Sequence, residues 1–266
     1  MYLVKHCNLR CRGCIRFSNI VKHQLYDFEP YKKDIRVFKD FGYVPEHVTL
    51  SGGEPLVVDN ILEYIAAVKE IYPECLISIF TNATLLKKLC NDEAVKFMID
   101  NEVTICYTRY ANYILNSLNS IMYLEEHEIS VGCIGDLDFN TKHDKPIKAE
   151  MTKLTLLAKD SIDSSDKSNL ATEHFTTCEC DLLQICDSKI YTCGRGNNIK
   201  YLNKKYNLDY PEDNYIKVSD ITCNDDLLKF SSQPCALCTY CGNVNPDNCQ
   251  TVPYSTDEAE LTDYLA

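Results

Sequence analysis

Residues 2–14 read YLVKHCNLRCRGC, a short apolar segment followed at once by three cysteines within eight residues, Cys7, Cys11 and Cys14. The segment Tyr2–Val4 has the length and apolar character of a buried strand. Three thiolates suit a soft metal, and a cubane cluster held by three cysteines leaves one iron without a protein ligand. We therefore predict a first strand that leads directly into an iron–sulfur loop.

Further strand and helix patterns alternate along the first half of the chain. The candidate strands lie at residues 2–4, 48–50, 76–80, 103–107 and 129–134. Between them, segments such as residues 60–71 and 112–126 carry apolar side chains at helical spacing. Because strands joined by helical crossovers pair in parallel, we predict an α/β fold.

The second half of the chain has a different pattern. Residues 135–173 are polar and predict a linker, which separates a domain at residues 1–150 from a Cys-rich domain at residues 174–253. The latter has few periodic stretches, so we expect its order to come from metal ligation rather than from a large apolar core. We expect the acidic end around Asp257 and Asp263 to form a solvated helix or tail.

Composition narrows the possible partners. The formal net charge of −12 argues against a nucleic-acid partner, since phosphates are bound by clustered Lys and Arg. No apolar run approaches the roughly 20 residues that span a bilayer, and the N-terminus lacks the pattern of a signal peptide. We therefore expect a cytoplasmic protein with no membrane partner. A reducing cytosol does not sustain disulfides, so the 16 cysteines indicate metal or redox chemistry.

A glycine-containing loop follows the second predicted strand. Its sequence is Ser51-Gly52-Gly53-Glu54-Pro55. Glycines let the backbone approach a ligand closely, and exposed N–H and C=O groups can pair with the polar ends of that ligand. Such a loop alone is a common turn. Its place after a strand favours ligand binding, because open α/β sheets bind ligands outside the carboxyl ends of their strands.

The C-x3-C-x2-C spacing after a first strand, together with the glycine loop, resembles the radical S-adenosylmethionine (radical SAM) superfamily. The resemblance implies a partial (β/α)6 TIM-like barrel with a small C-terminal Cys-rich iron–sulfur domain. It also implies a [4Fe–4S] cluster on Cys7, Cys11 and Cys14, with S-adenosyl-L-methionine as the second cofactor. In that family the open iron chelates the cofactor, and an external electron donor such as flavodoxin or ferredoxin supplies the electron for its cleavage.

The same resemblance implies cofactor contacts. The family's glycine loop touches the methionine amino group, a role that falls here to Gly52, Gly53 and Glu54. The segment Thr81-Asn82-Ala83 resembles the family's threonine-asparagine-glycine segment, so Asn82 becomes a further cofactor contact.

Two positions depart from the family pattern. Ala83 stands where the family carries glycine. Many members also carry an aromatic residue, packed near the adenine, just before the third cysteine, where this chain has Gly13. We expect Phe17 to take the place of that aromatic residue.

Nine cysteines fall between residues 178 and 249. They resemble the auxiliary-cluster extensions of the superfamily, the SPASM and twitch domains. The resemblance implies one auxiliary [4Fe–4S] cluster on Cys180, Cys193, Cys238 and Cys241. It leaves as extra or second-cluster ligands Cys178, Cys186, Cys235 and Cys249. Spacing does not separate one auxiliary cluster from two, and paired cysteines across a gap are also a zinc signature.

A narrower resemblance concerns the substrate. The segments Lys189-Ile190-Tyr191-x-Cys193 and Cys238-x-Tyr240-Cys241 are similar to radical enzymes encoded with sugar-modifying genes. This implies an oxidoreductase or epimerase that abstracts hydrogen from a small polar, sugar-like or cyclitol-like substrate. For epimerisation a thiol would return hydrogen, and Cys106 and Cys133 are candidates, although packing fits both.

Several alternatives stay open. Peptide-modifying relatives often carry a recognition domain ahead of the cluster strand, and Tyr2 already begins that strand, so a peptide or protein substrate is the second choice. A non-radical iron–sulfur carrier and a zinc-binding module are the others. A structural zinc on the first three cysteines would take its fourth ligand from His6 or His23.

Overall fold

The computed structural model of the chain describes residues 1–11, 14–108, 114–133, 154–155, 167–176, 178, 183–241, 249–250, 260–261 and 264. Two compact units divide the chain. The first unit comprises Met1–Val4 and Val44–Glu150, and the second comprises Lys5–Tyr43 and Met151–Ala266.

The secondary structure is mixed. The strands are β1 (Tyr2–Val4), β2 (His47–Gly52), β3 (Leu76–Thr81), β4 (Val103–Tyr107), β5 (Val131–Cys133), β6 (Leu154–Thr155), β7 (Gln184–Cys186), β8 (Lys189–Tyr191), β9 (Tyr215–Lys217) and β10 (Cys249–Gln250). The helices are α1 (Phe28–Asp40), α2 (Ile61–Ile71), α3 (Asp92–Asp100), α4 (Ile114–Glu126), α5 (Lys167–Thr176), α6 (Ile199–Tyr206) and α7 (Asn224–Ser231). None of these helices has the length and hydropathy that a membrane crossing requires.

The first unit is built on a parallel sheet of order β1-β2-β3-β4-β5, with helices in its connections. This confirms the predicted α/β class, and β1 and β4 have the predicted bounds. Strand β2 is longer than predicted, because Ser51 and Gly52 pair with Tyr2 and Val4. Backbone pairing needs no apolar side chain, so the hydrophobic pattern alone did not reveal this extension.

The register of the sheet separates its side chains onto two faces. Neighbouring residues of a strand point to opposite sides, and paired residues of parallel strands share a side. One face is apolar, and it carries the partly exposed Val48 and the buried Leu50, Ile77, Ile79, Val103 and Ile105. The other, polar face carries His47, Thr49, Ser78, Thr104 and Cys106 beside the apolar Leu76 and Phe80. Ser78 and Cys106 are buried, so the polar groups of this face that remain accessible to a ligand are those of His47, Thr49 and Thr104.

The second unit contains the antiparallel sheet β7-β8-β9, the antiparallel pair β6-β10 and helices α1, α5, α6 and α7. It has an apolar core of its own, formed by Phe17, Ile199, Leu202, Tyr210, Leu237 and Tyr264. The sequence pattern did not reveal this core, and the contribution of metal ligation to the order of the region stays a prediction.

One further expectation about the second unit changes. Helix α5 begins at Lys167, inside the segment predicted to be a linker. Tyr264 is only 3% exposed and packs in this core, whereas Asp257 and Asp263 lie outside the described residues. The domain ranges 1–150 and 174–253 stay a prediction.

Candidate active site

The loop after β1 carries Cys7, Cys11 and Cys14, each partly exposed and none in a disulfide. The backbone N–H of Leu9 donates to Sγ of Cys7 at 3.3 Å. Nδ2 of Asn19 donates to the carbonyl oxygen of Cys11 at 2.8 Å. Hydrogen bonds to sulfur stabilise thiolate ligands of iron–sulfur clusters, and partial exposure leaves the thiols accessible. Three accessible thiols are the ligands that a cubane cluster with one open iron requires, and their binding of such a cluster stays a prediction.

The same loop is anchored to the core of the second unit. Asn19 also donates from Nδ2 to the hydroxyl of Tyr264 at 2.7 Å. The ring of Tyr264 meets that of Phe17 edge to face, with centroids 5.5 Å apart. Phe17 is 2% exposed, so its ring has no free face for an adenine. The expectation that Phe17 packs on the cofactor was wrong, because core packing takes the side chain.

In the glycine loop, Gly52 lies against the neighbouring strand. A Cβ atom at this position would lie 2.5 Å from the carbonyl oxygen of Val4 and 2.7 Å from its Cγ1. The next residue, Gly53, donates its N–H to the same carbonyl oxygen at 2.8 Å. The close approach that makes glycine necessary at position 52 is therefore the approach of β1.

Glu54 is completely buried and joins two loops at the carboxyl edge of the sheet. Its Oε1 accepts from the N–H of Leu56 at 3.0 Å and from Oγ1 of Thr81 at 2.7 Å. Its Oε2 accepts from the N–H of Asn82 at 2.7 Å. Burial raises the pKa of Glu54, and the three donated hydrogen bonds oppose that rise. Thr81 is a further site residue, and the sequence did not reveal that its hydroxyl donates to Glu54.

The segment after β3 holds a turn. Oδ1 of Asn82 accepts from the N–H of Thr84 at 3.0 Å and from Oγ1 of Thr84 at 2.6 Å. Ala83 has φ of +65°, in the left-handed region that favours glycine. Ser117 donates from Oγ to the carbonyl oxygen of Ala83 at 2.9 Å. The chain thus keeps a backbone conformation suited to glycine although it carries alanine.

In the second unit, Cys193, Cys235 and Cys238 lie together as a chain of hydrogen-bonded thiols. The pKa of Cys193 is raised, first because its thiol donates to Cys235 and second because of burial. Sγ of Cys235 lies 3.7 Å from Sγ of Cys238. The pKa of Cys235 is about 11, since its hydrogen bond with Cys193 lowers it while its hydrogen bond with Cys238 and burial raise it more. The pKa of Cys238 is lowered, first by its hydrogen bond with Cys235.

This group differs from the ligand set that the resemblance implied. It includes Cys235, which was placed among the extra ligands, and the Cys235-x2-Cys238 spacing was the signal for it. Cys241 lies close enough to Cys238 to act on its pKa by like charge, and Cys180 lies outside the described residues. In the described part of the chain, no three His, Cys, Asp or Glu side chains surround a position for a single metal ion. Thiols at the corners of a cubane need no such common centre.

The other C-terminal cysteines are placed differently. Cys186 lies in β7 and is 1% exposed, and burial raises its pKa to about 12, so it has the character of a packing thiol. Cys178 is partly exposed just after α5. Cys249 lies in β10 and pairs with Thr155 of β6. Whether these three bind iron stays a prediction.

The two candidate hydrogen donors are both buried. Cys106 is 0% exposed and Cys133 is 4% exposed. Burial raises the pKa of Cys106 to about 11. Cys106 pairs with Gly132 whereas Cys133 pairs with Tyr107, so the two thiols lie on opposite faces of the sheet. Their burial favours packing, and a role as donor stays a prediction.

The Radical SAM superfamily model matches residues 1–111. The chain is similar to this superfamily over these residues, and the family uses a [4Fe–4S] cluster and S-adenosyl-L-methionine, as predicted. The GTP 3′,8-cyclase of Campylobacter lari is 31% identical over 93 residues, which cover 34% of this chain and 28% of that protein. The GTP 3′,8-cyclase of Aquifex aeolicus is 31% identical over 90 residues, which cover 32% of this chain and 28% of that protein.

A solved structure shares the architecture over a longer range. The structure of BtrN in complex with AdoMet and 2-DOIA covers 95% of both chains, with a TM-score of 0.54 and 15% sequence identity. At this identity the likeness shows the fold alone. It extends beyond the radical SAM domain into the Cys-rich half of the chain.

Proposed function

We propose that the chain is a radical SAM enzyme that oxidises or epimerises a small polar substrate. The observation that carries the proposal is that the three thiols of Cys7, Cys11 and Cys14 are partly exposed and lie within the segment that matches the radical SAM model. When bound there, a reduced [4Fe–4S] cluster supplies the electron that cleaves S-adenosyl-L-methionine to methionine and a hydrogen-abstracting 5′-deoxyadenosyl radical.

The residues of the first unit bind and orient the cofactor in this proposal. Gly52 and Gly53 place the backbone of the glycine loop, and Asn82 contacts the cofactor from the neighbouring loop. Glu54 is a positioning residue, because both of its carboxylate oxygens already accept hydrogen bonds from the protein. The two loops are therefore held in place before the cofactor arrives, which lowers the cost of ordering them on binding.

The polar face of the first sheet supports a small polar substrate. It presents the imidazole of His47 and the partly exposed hydroxyls of Thr49 and Thr104, and Nε2 of His47 lies 2.8 Å from Oγ of the buried Ser78. Few such groups suffice to orient a hydroxylated molecule in a ligand pocket. The relatives act on GTP and the structure of BtrN contains 2-DOIA, so both compounds belong in the first substrate screen. A peptide or protein is the second candidate class.

The thiol group of the second unit favours oxidation over epimerisation. In our proposal Cys193, Cys235 and Cys238 hold an auxiliary [4Fe–4S] cluster, and Cys241 or Cys180 supplies the fourth thiolate. Such a cluster can accept the electron that a substrate radical must lose to become an oxidised product. Epimerisation needs an accessible thiol instead, and both Cys106 and Cys133 are buried.

Anaerobic reconstitution of the full chain tests the proposal. We expect bound iron and sulfide, and 5′-deoxyadenosine when S-adenosyl-L-methionine is added after reduction with dithionite or flavodoxin. Replacement of Cys7, Cys11 and Cys14 by Ala should abolish 5′-deoxyadenosine and leave only the auxiliary iron. The control Cys90→Ala removes a thiol outside both groups and should keep the wild-type yield. A fully iron-loaded wild-type protein that forms no 5′-deoxyadenosine would contradict the proposal.

A further inference from the structure

Arg16 lies two residues after Cys14, in the segment that follows the cysteine loop. Its carbonyl oxygen accepts a hydrogen bond from Nδ2 of Asn198 at 2.7 Å. Asn198 is completely buried and immediately precedes α6. The backbone of Arg16 is therefore fixed inside the second unit.

The side chain of Arg16 lies against the residue that follows Cys193. A Cβ atom placed on Gly194 would lie 2.9 Å from Nη1, 3.2 Å from Cζ and 3.6 Å from Nε of Arg16. The guanidinium group thus covers the α-carbon of Gly194, and its Nη1 is buried. Glycine at position 194 is what allows this contact. One side chain therefore joins the segment after Cys14 to the segment after Cys193.

We propose that Arg16 is a positioning residue that holds its guanidinium group against Gly194, the residue after Cys193, and thereby raises the reduction potential of the auxiliary cluster. The charge of the neighbouring Arg195 also acts on the thiol of Cys193, so the effect of Arg16 adds to that of Arg195. The inference rests on the auxiliary cluster of the proposed function. A guanidinium group stays protonated throughout the working pH range. Reduction adds a negative charge to a cluster held by thiolates, and a nearby cation away from water favours the more negative form.

The consequence concerns electron transfer within the proposed oxidation. A substrate radical can pass its electron to the auxiliary cluster only if the cluster is a good enough acceptor. A higher reduction potential makes it a better one. Arg16 would then set the driving force of that step without touching the substrate.

Four variants of the full chain separate charge from contact. Arg16→Gln removes the charge, Arg16→Lys keeps the charge without the planar fork, and Gly194→Ala places a methyl group where the guanidinium lies. The matched control is Arg10→Gln, which removes the same charge from an exposed position of the cysteine loop. The measurement is the midpoint potential of the auxiliary cluster in a redox titration followed by electron paramagnetic resonance. Adding S-adenosyl-L-methionine identifies the first cluster by the change in its signal.

We expect Arg16→Gln to lower the equilibrium constant for one-electron reduction of the auxiliary cluster about tenfold, which is about 59 mV. Gly194→Ala should lower the potential in the same direction, Arg16→Lys should lower it less than Arg16→Gln, and Arg10→Gln should keep the wild-type value. If Arg16→Gln loses the cluster, the order of wild type, Arg16→Lys and Gly194→Ala decides. Iron-loaded Arg16 and Gly194 variants with the wild-type potential would overturn this inference alone. A wild-type protein without a second cluster would overturn it together with the auxiliary part of the proposed function.

Discussion

In the first unit, hydrogen bonds to a carboxylate hold the site loops in place. In the second unit, three thiols are hydrogen-bonded to one another. Glu54 accepts three hydrogen bonds from neighbouring loops at 2.7 to 3.0 Å. Cys193, Cys235 and Cys238 instead form a chain that ends on Cys238. Thiols are weak donors and weak acceptors, so such a chain contributes little without a metal. The comparison indicates that the loops around Glu54 are preorganised, whereas the group of Cys193, Cys235 and Cys238 would owe its stability to the proposed cluster.

The largest expected effect concerns iron in the cysteine group. Cys235→Ala removes the central one of the three hydrogen-bonded thiols. We therefore expect the reconstituted protein to lose about four irons, which is the iron content of one [4Fe–4S] cluster. Cys75→Ala removes a buried thiol that lies outside every candidate ligand set and should keep the full iron content. Iron and sulfide assays after anaerobic reconstitution measure both. Equal iron in the two variants would mean that Cys235 is no ligand.

Removal of the metal should affect the stability of the second unit and leave that of the first unit unchanged. Because metal binding in small Cys-rich regions contributes directly to folding, we expect the metal-free chain to lose several kcal/mol of local stability around residues 183–241. The core formed around Leu202 and Tyr210 should keep residual protection. Strands β2, β3 and β4 should exchange at the same rate with and without metal. Hydrogen exchange read by mass spectrometry measures this, and equal loss in both units would break the comparison.

The sequence predicted the first unit better than the second for a physical reason. Hydrophobic alternation reports burial directly, which is why the bounds of β1 and β4 were predicted without error. The group of Cys193, Cys235 and Cys238 depends on contacts between residues far apart in the chain. The resemblance placed Cys193 and Cys238 in one ligand set, and the Cys235-x2-Cys238 spacing was the signal for Cys235. The hydrogen bonds that Glu54 accepts were missed for the same reason, since a Gly-Gly-Glu-Pro sequence does not show that Thr81, 27 residues further on, will donate to its carboxylate.

Residues that the resemblance placed near the cofactor show a second limit. Phe17 was expected near the adenine because of its position in the cysteine loop. It packs in the apolar core instead, because burying a large aromatic side chain is strongly favourable. Its position in the loop does not show that a core lies within reach. The core of the second unit was missed for a related reason. Its members are spread from Phe17 to Tyr264 and give no periodic signal.

The next prediction concerns the three hydrogen bonds that Glu54 accepts in the first unit. In Glu54→Gln the amide nitrogen replaces one acceptor, so one of three donors is left without a partner. We expect the free energy of unfolding to fall by about 1 to 3 kcal/mol, the cost of a buried unsatisfied polar group. Glu63→Gln on the exposed side of α2 is the matched control and should change it little. Urea unfolding measures both variants, and equal stabilities would show that the loops do not need the carboxylate.

The same substitution has a pH dependence. Burial raises the pKa of Glu54 in the folded chain above its ordinary value of about 4.3. Between the two pKa values the unfolded chain ionises first, so the stability that Glu54 contributes is complete below the lower value and falls as the pH rises through the folded value. The stability difference between wild type and Glu54→Gln should therefore shrink from pH 4 upward. A series of urea titrations measures it, and a difference that grows with pH would contradict the raised pKa.

The smallest expected effect is a gain in stability at Ala83. Its φ of +65° costs an alanine about 1 kcal/mol, whereas glycine adopts it freely. Glycine also loses more conformational freedom on folding, so the net gain of Ala83→Gly should be about 0.5 kcal/mol. The control Ala66→Gly lies on the exposed face of α2, where glycine should cost about 1 kcal/mol. Thermal unfolding of the two variants should therefore shift in opposite directions. A loss at position 83 would mean that contacts of the methyl group outweigh the backbone strain, and that the first unit is preorganised by packing as well as by Glu54.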